Sequence, residues 1–185
     1  MPRFSFNLVD EPWIRCLVQP RAPSGQRSAG AIEHLGLRET LVRAHELLGI
    51  AGDAPPVTAA LYRLLLAVLH RCSGRSGSSG PEDVEQWEML WQRGQFDSAR
   101  VNAYLDHWRR RFDLFDDSQP FYQTAAREVS KEKATSIAKL LFQSDNNATL
   151  FDHSFVANPP PMSPARAARL PSAIRRYPSE HSFCP

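Results

Sequence analysis

The chain has 185 residues, 42% of them hydrophobic and 23% charged, which is enough apolar material for one ordinary domain with a core and excludes global disorder. Its net charge of +2 is unevenly placed. Residues 1–162 hold 18 Lys and Arg against 19 Asp and Glu, whereas residues 163–185 hold four Arg against one Glu, so overall charge does not by itself announce a nucleic-acid binder.

Phe4 to Val18 reads as two short strands: Phe4, Phe6 and Leu8 alternate with Ser5 and Asn7. Asp10-Glu11-Pro12 turns the chain, and Trp13 to Val18 is a second apolar run. Residues 19–31 form a Pro/Gly/Ser loop of the kind that tips a hairpin. Leu37, Leu41, Ala44 and Leu48 fall on one stripe and predict a helix over 37–48 that stops at Gly49. Asp53 is placed to cap the next helix, with Pro55 in its first turn. Val57, Leu61, Leu64, Leu65, Val68 and Leu69 give that helix a wide apolar face and put it at the centre of the core. Residues 73–80, SGRSGSSG, read as a flexible linker.

A third helix is expected from Pro81 to Gly94, capped by Ser79 or Gly80, with Val84, Trp87, Leu90 and Trp91 along one side. Asp97 or Ser98 caps a fourth, in which Val101, Tyr104, Leu105, Trp108 and Phe112 recur at helical spacing. The helical spacing of Trp87, Trp91, Tyr104, Trp108 and Phe112 favours core over a base-stacking platform. Residues 113–124 read as a turn and a short extended piece, Ile137 to Phe142 as a short apolar segment, and 143–164 as a loop. Ser163-Pro164 starts a helix that Pro171 is expected to stop after two turns. Together these elements predict an α+β fold, mostly helical, with a small N-terminal β-hairpin or sheet.

Most apparent sites fail on spacing. His45-Glu46 opens like H-E-x-x-H, but Gly49 stands where the second His belongs, leaving a solvated polar edge. Gly74, Gly77 and Gly80 follow a helix rather than a strand, so a linker is preferred to a dinucleotide turn. The six His and three Cys show no zinc spacing, so neither metal nor cofactor is expected. Asp113, Asp116 and Asp117 are the one candidate for metal-dependent nuclease chemistry, and turn formation is the plainer reading. Arg109, Arg110 and Arg111 complement a helix C-terminus, or else contact phosphate. The segment Gln143–Asn158 carries amides, hydroxyls and aromatics that suit base edges and groove insertion: Asn146, Asn147, Thr149, Phe151, Phe155 and Asn158. Cys16, Cys72 and Cys184 make no disulfide framework, and no signal-peptide core or membrane-length apolar run is present, so a cytoplasmic location is expected.

Several stretches resemble, in order, the CasA family, the large subunit of the type I-E CRISPR Cascade complex. They are FNLVDEPWI at 6–14, LRETL with AHE at 37–46, AALYRLLLAVLHR at 59–71 and W-x-x-L-W-x-x-G-x-F-D at 87–97. Y-L-x-x-W-x-x-R-F-D-L-F at 104–115, PFYQT at 120–124, AKLL at 138–141 and LFDH at 150–153 follow. The resemblance implies a non-catalytic subunit in antiviral defence that helps recognise the PAM beside the target. It also implies partners: other Cascade subunits, crRNA, double-stranded target DNA and a recruited helicase-nuclease. By the same resemblance the loop at about 143–158 approaches DNA. The resemblance implies a much longer protein ending in a helical bundle, which these 185 residues are not expected to hold. Residues 1–162 are accordingly expected to be the N-terminal part of the CasA-like domain, and 163–185 an aberrant Pro/Arg-rich tail of a truncated or frame-shifted product. An inert fragment that binds neither DNA nor Cascade is the alternative.

Overall fold

The computed structural model describes residues 4–19, 30–74, 83–125 and 161–174, with 171–174 as backbone alone. Strand β1 (Ile14–Val18) is the centre of a three-stranded antiparallel sheet, flanked by β2 (Ala31–Leu35) and β3 (Leu47–Ile50). The helices are α1 (Leu37–Val42), α2 (Pro55–Ser73), α3 (Val84–Arg93), α4 (Ser98–His107) and α5 (Pro164–Ile174). Single 3₁₀ turns lie at Ala44–Glu46 and Arg109–Phe112. The α+β, mostly helical architecture is as the sequence predicts. Among the described residues, no helix is long and apolar enough to cross a membrane.

Ile14, Cys16 and Val18 of β1 point into the core while Arg15 and Leu17 alternate away, the period-2 signature of a half-buried strand. Ile14 pairs with Leu35 and Val18 with Ala31; on the other side Cys16 pairs with Ile50, and the register shifts between Leu17 and Val18. The expected first strand does not form. Phe4–Leu8 instead docks beside the turn after α4, through Leu8 N–H to the Phe112 carbonyl (2.9 Å) and Leu114 N–H to the Phe6 carbonyl (3.0 Å). The cause is local: the Asn7 side-chain oxygen accepts from Val9 N–H (3.1 Å) and its carbonyl accepts from Glu11 N–H (3.0 Å), which curls the chain before a ladder can extend.

The helix predicted over 37–48 ends at Val42, and Leu47–Ile50 becomes β3. Non-local pairing outweighs the helical stripe here, because Leu47 and Ile50 gain ladder bonds with β1 and pack on the core. Arg43 fastens the switch, reaching Glu33 on β2 (3.1 Å) and Glu46 (2.9 Å). Gly36 allows the preceding corner: a Cβ there would meet the Val9 carbonyl oxygen at 2.6 Å.

Helix α2 supplies Val57, Leu61, Leu64, Leu65 and Val68 to the core, where Leu8, Trp13, Leu37, Val101, Leu105 and Ala168 meet them. The Trp13 indole N–H donates to the Leu8 carbonyl (2.9 Å), so its burial leaves no orphan donor. Asp53 does not cap α2; Ala54 holds the cap position without a side-chain bond. Asp83 caps α3, accepting from Gln86 N–H (2.8 Å), and Gly94 ends it at φ 70°; Asp97 caps α4 as the sequence predicts. Helix α5 does not stop at Pro171 but continues to Ile174. An interior proline removes the N–H that the Ala167 carbonyl would accept and disfavours the helix there, but the preceding turns are already held by buried Ala168, Arg169 and Leu170.

The expectation that the tryptophans of α3 are core fails. No residue of α3 is buried, and Trp91 is 88% exposed. Trp87 makes one edge-on contact with His70 at 5.6 Å.

Candidate nucleic-acid interface

The arginine triplet sits on the 3₁₀ turn after α4, and its three members are used differently. The Arg109 guanidinium is ion-paired with Asp10, whose other oxygen accepts from Arg38 Nε (2.8 Å). Arg38 in turn reaches Asn102 (2.9 Å) and Asp106 (2.6 Å) on α4, so Arg109 helps rivet the N-terminal turn and α1 to α4. Asp10 is held below the ordinary carboxylate range: burial alone would raise it, and the hydrogen bonds and charges of Arg38 and Arg109 outweigh that.

Arg110 Nε donates to Asp116 (3.1 Å), and its Nη2 to the Ser118 hydroxyl (3.2 Å). Asp116 also accepts from the Ser118 hydroxyl (2.7 Å) and from the backbone N–H groups of Ser118 and Gln119 (2.9 Å each). These bonds, the Ser118 hydroxyl first, hold its carboxyl far below the usual range. Asp113 accepts from Phe115 N–H (2.8 Å) and from the Ser5 hydroxyl. Asp113 and Asp116 are thus turn formers. Among the described residues no cluster of His, Cys, Asp and Glu has the makings of a metal site.

Arg111 alone of the triplet has no carboxylate partner among the described residues. It lines a cleft of about 620 Å³ between the C-terminal half of α2, the end of α4 and residues 118–125. Arg71, Tyr104, Trp108 and Tyr122 line it too, and no described carboxylate does. Its floor is a rank of rings: Phe112 and Phe121 stack at 5.7 Å, and Phe121 meets Tyr122 at 4.5 Å. Trp108, 41% exposed, stands edge-on to His107 at 4.9 Å. Tyr122 is the one described non-glycine residue with positive φ (53°), a strained backbone of the kind that clusters at functional sites. Phe121 N–H bonds the Asp113 carbonyl (2.9 Å), tying this segment to the turn that Asp116 organises.

Sequence reasoning named Arg111 but missed Arg71 and took Trp108 as core. The signal was present: Leu64, Val68 and Arg71 lie at helical spacings 0, 4 and 7, as do Tyr104, Trp108 and Arg111. Each stripe starts apolar and ends in a cation, and the fold brings both cations to one cleft. The other predicted contacts, Asn146, Asn147, Thr149, Phe151, Phe155 and Asn158, lie outside the described residues.

The chain as a whole has known relatives in sequence and in fold. The CasA/Cse1 protein of Thermus thermophilus is 42% identical over 166 residues, covering 89% of this chain and 30% of its own length. The crystal structure of Cse1 from Acidimicrobium ferrooxidans superposes with a TM-score of 0.73 at 28% identity, covering 94% of this chain and 29% of that one. A chain of a CRISPR RNA-guided surveillance complex in a pre-nicking state superposes at 0.76 with 26% identity, covering 93% and 34%. The chain therefore spans about a third of the length of the relatives it matches. The sequence profile of the CRISPR-associated protein Cse1 family runs through the same elements, from Asn7 at the N-terminal turn to Leu170 on α5, and with that match over most of its length the chain belongs to this family.

Proposed function

We propose that this chain serves as a non-catalytic subunit of an RNA-guided CRISPR surveillance complex, in the cytoplasm, and contributes to recognition of the PAM region of target DNA in antiviral defence. The observation that carries the reading is the likeness of 93% of the chain to a chain of such a complex, at a TM-score of 0.76. In this reading its partners are the other Cascade subunits, crRNA, double-stranded target DNA and the helicase-nuclease that degrades it. Protein contacts of this kind read a short duplex signal while base pairing reads the rest.

The residues proposed for DNA contact are Phe151 and Phe155 as groove wedges, Asn146, Asn147, Thr149 and Asn158 as polar contacts, and Arg111 as a phosphate contact. Arg109 and Arg110, with their guanidinium groups already on Asp10 and Asp116, are proposed to orient the turn rather than to touch DNA. The test is retention of a PAM-bearing duplex by the assembled complex, with and without this chain. Binding that rises with the chain and falls with Phe151→Ala/Phe155→Ala supports the reading. Binding indifferent to the chain contradicts it.

A further inference from the structure

We infer that the cleft walled by Arg71, Trp108 and Arg111 is a subsite for single-stranded nucleic acid. One nucleotide's phosphate lies on the two guanidinium groups and its base lies against the Trp108 ring. The choice of nucleic acid as ligand rests on the function proposed above; the shape and charge of the subsite stand on the cleft itself.

The charge is one-sided. Two arginines and no described carboxylate line the cleft, and neither arginine has an ion-pair partner among the described residues. Arg109 and Arg110, on the same turn as Arg111, are both paired with acids. A planar guanidinium without a carboxylate is suited to phosphate oxygens, which it meets through two parallel N–H bonds. The aromatic component is beside it. Trp108 presents an indole that is 41% exposed, and any base offers a π-face to such a ring. Gln119 and Thr124 line the same wall and supply groups for a base edge. About 620 Å³ is the size of an ordinary small-ligand site, ample for one nucleotide. Bases in a duplex are already stacked on each other, so a ring at the side of a cleft is reached by an unstacked strand.

DNA and RNA single strands share this chemistry, and the experiment separates them. The anisotropy of labelled oligothymidylate and oligouridylate, each of about eight nucleotides, is titrated with the full chain over a series of salt concentrations. The expected result is saturable binding with a log–log salt slope of about −0.7, as one neutralised phosphate on a single strand gives. Arg71→Ala/Arg111→Ala abolishes most of that slope. Trp108→Ala weakens binding by about fivefold to a hundredfold, and Trp108→Phe restores most of it, with the circular dichroism of each variant matching the parent. Preference for thymidylate points to a displaced DNA strand, and preference for uridylate to guide RNA. Failure of the parent chain to bind either oligonucleotide overturns the proposal. So does equal binding by the double variant, or equal competition by inorganic pyrophosphate or by a duplex of the same length. Co-purification with Cascade subunits reads the broader function independently: assembly without oligonucleotide binding sinks only the subsite, and oligonucleotide binding without assembly sinks only the broader reading.

Discussion

The Arg169 guanidinium, on α5, donates from Nε to the Asp53 carboxylate at 2.9 Å across 116 residues of sequence. Its Nη1 donates to the Trp13 carbonyl (2.7 Å) and the Ala165 carbonyl (3.2 Å), and Arg15 reaches Asp53 from β1 at 3.2 Å. The Arg169 side chain is only 8% exposed, so this is a buried charge satisfied on every side. It explains why Asp53 is not a helix cap: its oxygens are committed to a contact that joins α5, the loop before α2 and the sheet.

Replacing Arg169 with Met should therefore cost about 3 kcal/mol in urea unfolding, the low end for a broken buried pair because Arg15 still reaches Asp53. The penalty has a pH signature. Burial by itself raises the Asp53 carboxyl, but the hydrogen bond and charge of Arg169, then those of Arg15, outweigh it and lower it below its ordinary value. A carboxyl lowered in the folded state binds fewer protons folded than unfolded. Its contribution is thus complete above the unfolded value of about 3.9 and is lost as pH falls through the folded value. The gap between parent and Arg169→Met should be flat from about pH 5 to 8 and shrink below about pH 4.

The arginine triplet should split by role. Arg109→Ala breaks a largely exposed ion pair and should cost about 0.5–1 kcal/mol of stability. Arg111→Ala should leave stability within about 0.5 kcal/mol of the parent, yet weaken binding of a phosphate-bearing strand. Urea midpoints and anisotropy measured on the same two variants check both halves.

Trp91 and Trp13 make a paired stability test. Trp13 is fully buried, and Trp13→Ala should cost about 3–5 kcal/mol. Trp91, 88% exposed, should be replaceable by Ser within about 0.5 kcal/mol. A large loss at Trp91 would show that its face is covered in solution.

Thiol reactivity should report folding. Burial pushes the Cys72 thiol up to about 11 and also raises Cys16. In a Cys184→Ser background, both should resist an Ellman reagent at pH 8 in buffer and react within the mixing time in strong urea. Fast reaction of either in buffer would mean that its part of the core opens readily.

Much of the scaffold can be read from the residues. The apolar face of α2, the Val101–Leu105 stripe of α4 and the Asp97 cap are local signals that agree with tertiary packing. β3 was not legible, because Leu47-Leu48 continues a helical stripe and its strand state depends on pairing with β1. Asp53 had the look of a cap because it precedes Pro55, and its true partner lies on α5. The α3 tryptophans show the limit of periodicity: it reports that a helix has an apolar face and is silent on whether anything covers that face. The cleft was legible only by halves, as two stripes each ending in arginine, since no local pattern says that the ends of α2 and α4 converge.

In the function proposed here the chain seats itself, without doing chemistry, in an RNA-guided assembly. Size-exclusion chromatography of this chain mixed with the other Cascade subunits and crRNA tests that most directly. The chain should co-elute with the assembly at a fixed ratio, and Mg²⁺ or Mn²⁺ should elicit no DNA cleavage. Elution of the chain entirely on its own, or cleavage abolished by Asp116→Ala, would contradict that function.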